Sequence, residues 1–263
     1  MTPDERLAAL EAIAAEVRTC TNCRLSAGRT KAVPGEGHPD TEVVLVGEGP
    51  GFNEDRQGRP FVGRAGDLLV KMLGTLGWRR EEVFITNIVK CRPPDNRDPE
   101  PDEVAACLPY LHRQLEILDP ALVVTLGRHS MGRFMPGARI GQVHGTTASA
   151  DPATGARQAL VYALYHPAAA LRSTEVERQS FDDVAGIPAA LLEARRRRAE
   201  QPPAVIPANS SAPAATAPAS PGAPAGAAPA SPTVATPAAT FPDLPGAIRS
   251  DDPGPSLDPM TLF

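Results

Sequence analysis

Four cysteines constrain this chain more than any other feature. Cys20 and Cys23 form a Cys-x2-Cys pair near the N-terminus, while Cys91 and Cys107 stand far downstream. A fold that returns on itself can bring the four sulfurs together, and it then ties the N-terminal segment to the middle of the chain. Four thiolates suit Zn²⁺ or an iron–sulfur cluster. Disulfides, a redox switch or unrelated buried thiols are the other readings of the same set. The opening segment MTPDERLAALEAIAAEVR is acidic and amphipathic and lacks the apolar run of a secretory signal. No stretch reaches the roughly 20 apolar residues of a membrane span. A cytoplasmic protein with no membrane partner is expected, and a reducing compartment favours thiolate ligands over disulfides.

Half of the 30 prolines fall in residues 201–263, mixed with Ala, Ser, Thr and Gly. Such a segment cannot bury enough apolar surface to offset its ordering entropy. The expected organisation is one domain over residues 1–199 and a disordered Pro/Ala-rich tail over 200–263. More than half of the net charge of −5 belongs to the tail, where Asp243, Asp251, Asp252 and Asp258 face only Arg249. The domain is left near neutral, so a nucleic-acid partner would have to meet a local basic face.

Within the domain, short apolar runs alternate with amphipathic stretches. Leu7, Leu10, Ile13 and Val17 recur at helical spacing over residues 3–18. Continuous apolar runs at 42–47, 83–89, 121–126 and 160–165 read as buried parallel strands. Helices are expected over 68–76, from Pro101 to Leu118 with a kink at Pro109, over 128–134, and as one closing helix over 181–198. Alternating strands and helices imply a mainly parallel sheet covered on both faces, with ligands beyond the carboxyl ends of the strands.

The unusual segments fall at those ends. Gly47-Glu48-Gly49-Pro50-Gly51 leaves the first strand as a glycine-rich turn, yet it matches neither a phosphate loop nor a dinucleotide fingerprint. Phe61 lies in a glycine-flanked loop, GRPFVG, where an aromatic ring can stack a small molecule or pack locally. Asn87 ends the second strand, and an amide there can donate and accept along a nucleobase edge. Lys90, Arg92 and Arg97 follow with positive charge for phosphates. His166-Pro167 follows the fourth strand; beyond it, Leu171 could wedge into a base stack while Arg172 holds phosphate.

Taken together, Cys20-x2-Cys23, GEGPG (47–51), Glu54-Asp55, GRPFVG (58–63), TNIVKCRPPDNR (86–97), Pro101 to Cys107 and His166-Pro167-x3-Leu171-Arg172 resemble the family 4 uracil-DNA glycosylases, the iron–sulfur type. The resemblance spans about residues 20–172. It implies a three-layer α/β/α sandwich with a central four-stranded parallel sheet. It also implies a [4Fe–4S] cluster on Cys20, Cys23, Cys91 and Cys107, with Zn²⁺ the lesser choice. It implies a monomeric DNA-repair enzyme that hydrolyses the N-glycosidic bond of deoxyuridine. By the same resemblance, uracil is flipped out of DNA and stacks on Phe61. Asn87 reads its N3–O4 edge, and Glu48, Gly49 and His166 serve O2. Leu171, Arg172, Lys90 and Arg97 are the expected DNA contacts. Gly49 stands where other glycosylase families place Asp or Asn, so Glu54 is the first choice to orient the attacking water, with Glu48 and Asn96 as alternates. Residues 92–106 hold no histidine, so ordinary turnover is expected rather than covalent trapping. A non-catalytic, metal-stabilised nucleic-acid-binding module is the alternative. The terminal residues Met260, Leu262 and Phe263 resemble bacterial sliding-clamp peptides, although Pro259 replaces the usual glutamine.

Overall fold

The computed structural model describes residues 1–200; the tail, and with it the clamp-like terminus, lies outside the described residues. Six strands form one mixed sheet: β1 (Glu36–Gly37), β2 (Val43–Gly47), β3 (Phe84–Asn87), β4 (Leu122–Leu126), β5 (Thr147–Ser149) and β6 (Leu160–Leu164). Their order is β1-β3-β2-β4-β6-β5. The inner four are parallel, with Leu45 of β2 opposite Ile85 of β3 and Val124 of β4. The expected four-stranded sheet is thus extended to six by antiparallel edge strands of two and three residues. Strands that short carry too little pattern to be read from sequence.

Side-chain alternation along the inner strands divides the core into two layers. Val44, Val46, Val123 and Val161 face the helices Pro3–Thr19 and Pro101–Leu118, packing with Ile13, Val17, Leu111 and Leu115. Val43, Leu45, Val124 and Tyr162 face the opposite way, toward the helices Arg64–Thr75, Thr174–Val184 and Ile187–Glu200. Each buried aliphatic side chain contributes about 1.5–3 kcal/mol, which is what a strand hidden on both faces supplies. Leu7, placed on the same apolar stripe by its spacing, remains exposed one turn beyond the packed surface.

Three local expectations change. The helix Pro101–Leu118 continues through Pro109 as one element. The strand read over 83–89 ends at Asn87, after which the chain turns toward Cys91. The closing helix is two helices separated at Ala185–Gly186, and Pro188 sits in the first turn of the second, where its missing N–H is harmless.

Candidate active site

The carboxyl ends of β2, β3, β4 and β6 open onto a cleft of about 810 Å³. Glu48, Gly49, Glu54, Phe61, Asn87, Asn96, Arg97, His166 and Arg172 all line it. Phe61, Asn87 and His166 therefore share one cavity, although they come from a loop, a strand end and a helix start spread over more than 100 residues of sequence.

Asn87 closes β3 opposite Gly47 of β2. It is 1% exposed, and its Oδ1 has no hydrogen-bond partner in the protein. Leaving a buried acceptor unpaired costs about 1–3 kcal/mol, so this oxygen suits a ligand donor. Gly47 is what allows the approach: a Cβ there would lie 2.3 Å from Asn87 Oδ1 and 2.8 Å from the Phe61 ring. Phe61 itself takes a positive φ of 49°, a strained conformation for a bulky residue. Its backbone is held from three sides. Arg80 donates to Phe61 O at 2.9 Å and Pro60 O at 2.8 Å, and Arg80 is anchored by Glu36 at 2.7 Å. Glu54 Oε1 accepts from Val62 N and Gly63 N, both at 2.9 Å. Gly66 leaves room for the Phe61 carbonyl, which would stand 2.0 Å from a Cβ.

His166 caps the short helix Pro167–Ala170, its Nδ1 accepting from Ala168 N at 3.1 Å. That bond leaves the neutral ring's proton on Nε2. Burial, assisted by the Arg172 guanidinium, pushes the imidazole pKa down to about 4. The ring is thus a neutral donor near pH 7, with its centroid 5.7 Å from that of Phe61.

The carboxylates differ in their engagement. Glu54 is occupied as a loop brace. The Glu48 carboxylate makes no hydrogen bond, lies 3.8 Å from His129 Nε2, and has its pKa raised by burial. Asn96 sits in a left-handed turn with its Oδ1 taken by Arg92 Nε at 2.7 Å. Of the expected DNA contacts, Arg172 is exposed at the cleft and Leu171, 38% exposed, stands beside it. Arg97 reaches the cleft while paired to Glu103 at 2.6 Å. Lys90 must be withdrawn as a phosphate contact, because it is 1% exposed. Its Nζ donates to Thr86 Oγ1 (2.6 Å), Asn87 O (2.8 Å) and Gln114 Oε1 (2.8 Å), and burial lowers its pKa to about 7.

The four cysteines are unpaired and line a second, small cavity with Val17, Leu25 and Tyr110. The disulfide reading is thereby corrected. Lys90 N donates to Cys107 Sγ at 3.2 Å, Arg29 Nη1 to Cys91 Sγ at 3.3 Å, and Asn22 N to Cys20 Sγ at 3.4 Å. Burial raises the Cys107 thiol to about 11 and that of Cys91 in the same direction. Among the described residues, the one set of three metal-capable side chains with all ligand atoms within 4.8 Å is Glu48, Asp98 and His129. No three thiol sulfurs come that close together. Four thiols around one cavity offer the donor set of an iron–sulfur cluster or of Zn²⁺.

The cleft at the ends of the four parallel inner strands thus brings together an unpaired amide oxygen, a phenyl ring and a neutral imidazole. The chain belongs to the Uracil DNA glycosylase superfamily, whose profile matches residues 34–185. It is 47% identical over 175 residues to the Type-4 uracil-DNA glycosylase of Sulfurisphaera tokodaii, covering 64% of this chain and 79% of that protein. It is 46% identical over 188 residues to that of Saccharolobus solfataricus, covering 69% and 86%. The Thermotoga maritima protein of the same description is 44% identical over 177 residues, covering 66% and 91%.

Sequence reasoning missed Arg80 and Glu36. They act through backbone carbonyls, and nothing in the local run RREE marks one arginine as a clamp. The interior position of Lys90 was equally hidden, since its neighbour Arg92 is an ordinary surface residue.

Proposed function

We infer that this chain is a DNA-repair hydrolase that cleaves the N-glycosidic bond of deoxyuridine in DNA, releasing uracil and leaving an abasic site. The observation that carries the reading is the buried, unpaired Oδ1 of Asn87, set beside Phe61 and a neutral His166. An extruded uracil stacks on Phe61. Asn87 accepts from its N3–H and donates to O4, an arrangement that cytosine cannot satisfy. His166 Nε2–H and the Glu48–Gly49 backbone serve O2. As the N1–C1′ bond breaks, its electron pair passes to the base and charge builds on O2, where the donors stabilise it. Water forms the new bond to C1′, and a carboxylate takes its proton.

Glu48 is our choice for that carboxylate, because it is unengaged and partly desolvated, whereas Glu54 holds the Phe61 loop. Leu171 fills the gap left in the strand, and Arg172 and Arg97 meet phosphate. Cys20, Cys23, Cys91 and Cys107 would hold a [4Fe–4S] cluster, which supplies a structural cross-link when bound. The monomeric state is proposed from the family resemblance alone. Among the described residues no helix is long and apolar enough to cross a membrane; with unpaired cysteines, this supports a cytoplasmic setting. The clamp peptide at Met260, Leu262 and Phe263 rests on sequence alone, and loss of clamp binding on deleting residues 260–263 would test it.

The direct test is uracil release from a labelled oligonucleotide carrying one deoxyuridine, read by alkaline cleavage. Strand cleavage at uracil and none at cytosine is expected. Tight binding without release would instead identify a non-catalytic nucleic-acid-binding module.

A further inference from the structure

Phe52 stands immediately past the glycine turn, outside the cleft that its neighbour Gly51 lines. At 52% exposure it is the one exposed Phe, Tyr or Trp among the described residues. A single exposed ring is unremarkable by itself. This one has two guanidiniums beside it: Arg56, one helical turn along, with its Cζ 5.6 Å from the ring centroid, and Arg92, whose Cζ is 5.3 Å from it. Among the described residues most arginines are paired with carboxylates, but neither of these two is in any salt bridge. Arg92 is also tied to the cleft wall, through its 2.7 Å bond to Asn96.

We propose that Phe52, Arg56 and Arg92 form a grip for the DNA strand on one flank of the cleft, with the ring stacking a base next to the extruded uridine and the guanidiniums holding its phosphate. The proposal rests on the glycosylase reading for the identity of the strand. When one nucleotide swings out, its neighbour loses a stacking partner, and a phenyl ring at the cleft mouth offers a replacement. Aromatic stacking accepts every base, which suits an enzyme that meets uracil in any sequence. Two unpaired positive charges beside the ring select a polyanion over an apolar protein surface.

The test uses the full chain and two readouts: binding of a uracil-free single-stranded oligonucleotide by fluorescence anisotropy, and steady-state uracil release. Phe52→Ala and Phe52→Leu weaken oligonucleotide binding about tenfold, whereas Phe52→Trp retains it. Phe52→Ala raises KM while kcat at saturation and inhibition by free uracil stay unchanged, since the base pocket is untouched. Arg56→Gln lowers the slope of log affinity against log salt by about 0.7. Wild-type binding by Phe52→Ala overturns the grip, and wild-type binding by Phe52→Leu overturns the stacking role. Self-association that Phe52→Ala abolishes would assign the ring to a second copy and overturn it too. A wild-type chain that binds this oligonucleotide but releases no uracil sinks the glycosylase reading instead, and leaves the binding test standing.

Discussion

At the residue scale the account turns on side chains whose polar atoms are left free where a base would sit. Asn87 packs against Gly47 and Phe61, and its buried acceptor has no partner in the protein. Asn87→Asp replaces the N–H₂ donor with a carboxylate that repels O4; kcat/KM on uracil substrates falls at least about 100-fold, measured in single-turnover assays. The carboxylates separate by the same reasoning. Glu48→Gln removes the proton acceptor, lowers kcat by about 100-fold or more and removes the acidic limb of the pH–rate profile. The sign follows from burial: the raised pKa keeps Glu48 protonated, and unable to accept, further up the pH scale than an ordinary carboxylate. Glu54→Gln keeps that limb and raises KM, because it loosens the loop at Val62 and Gly63. Equal pH profiles for the two variants would contradict the assignment.

At the scale of elements, the site depends on loops locked to a sheet that is itself well specified. The four inner strands, their burial and the N-terminal helix were legible in the sequence, because long apolar runs and 3.6-residue spacing are strong signals. Asn87 and His166 stood out as motif positions at strand ends and Phe61 as a loop aromatic, and all three line the one cleft. The supports were not: Arg80 acts on main-chain oxygens, and Lys90 is drawn inside by Thr86, Gln114 and the Asn87 carbonyl. Neither kind of contact leaves a pattern in the chain. The division at Ala185–Gly186 did carry a signal, Gly186 followed by Pro188, which stops one helix and starts the next. Arg80→Met strips the donors from the Pro60 and Phe61 carbonyls and frees a strained loop. It raises KM several-fold and lowers stability by about 1–3 kcal/mol in urea titrations. An unchanged KM would show that the clamp is not needed to present the ring.

On the scale of the whole molecule, two features tie distant segments together. The thiol cavity joins the end of the helix Pro3–Thr19 to Cys91 and to Cys107 on the helix Pro101–Leu118. Cys20→Ala, with iron and sulfide quantified, yields a protein depleted in both and with a Tm lower by several degrees; full metal content would remove Cys20 from the ligand set. The half-buried His166 imidazole adds to the acid sensitivity of the fold. His166 has a folded-state pKa of about 4 against an ordinary 6.5, so folding favours the neutral ring. Its contribution to stability is complete above about pH 6.5 and is lost as pH falls toward 4. His166→Gln flattens that part of the stability curve, as urea titrations from pH 4 to 8 would record.

The central claim is spatial: one cleft reads one extruded pyrimidine through a stacking ring, an amide and a neutral imidazole. A crystal structure of this chain with free uracil tests it most directly. The account predicts the base stacked on Phe61, with N3 and O4 within hydrogen-bond distance of the Asn87 amide and O2 within reach of His166 Nε2. Uracil bound elsewhere, or turned so that Asn87 Oδ1 remains without a partner, would contradict it.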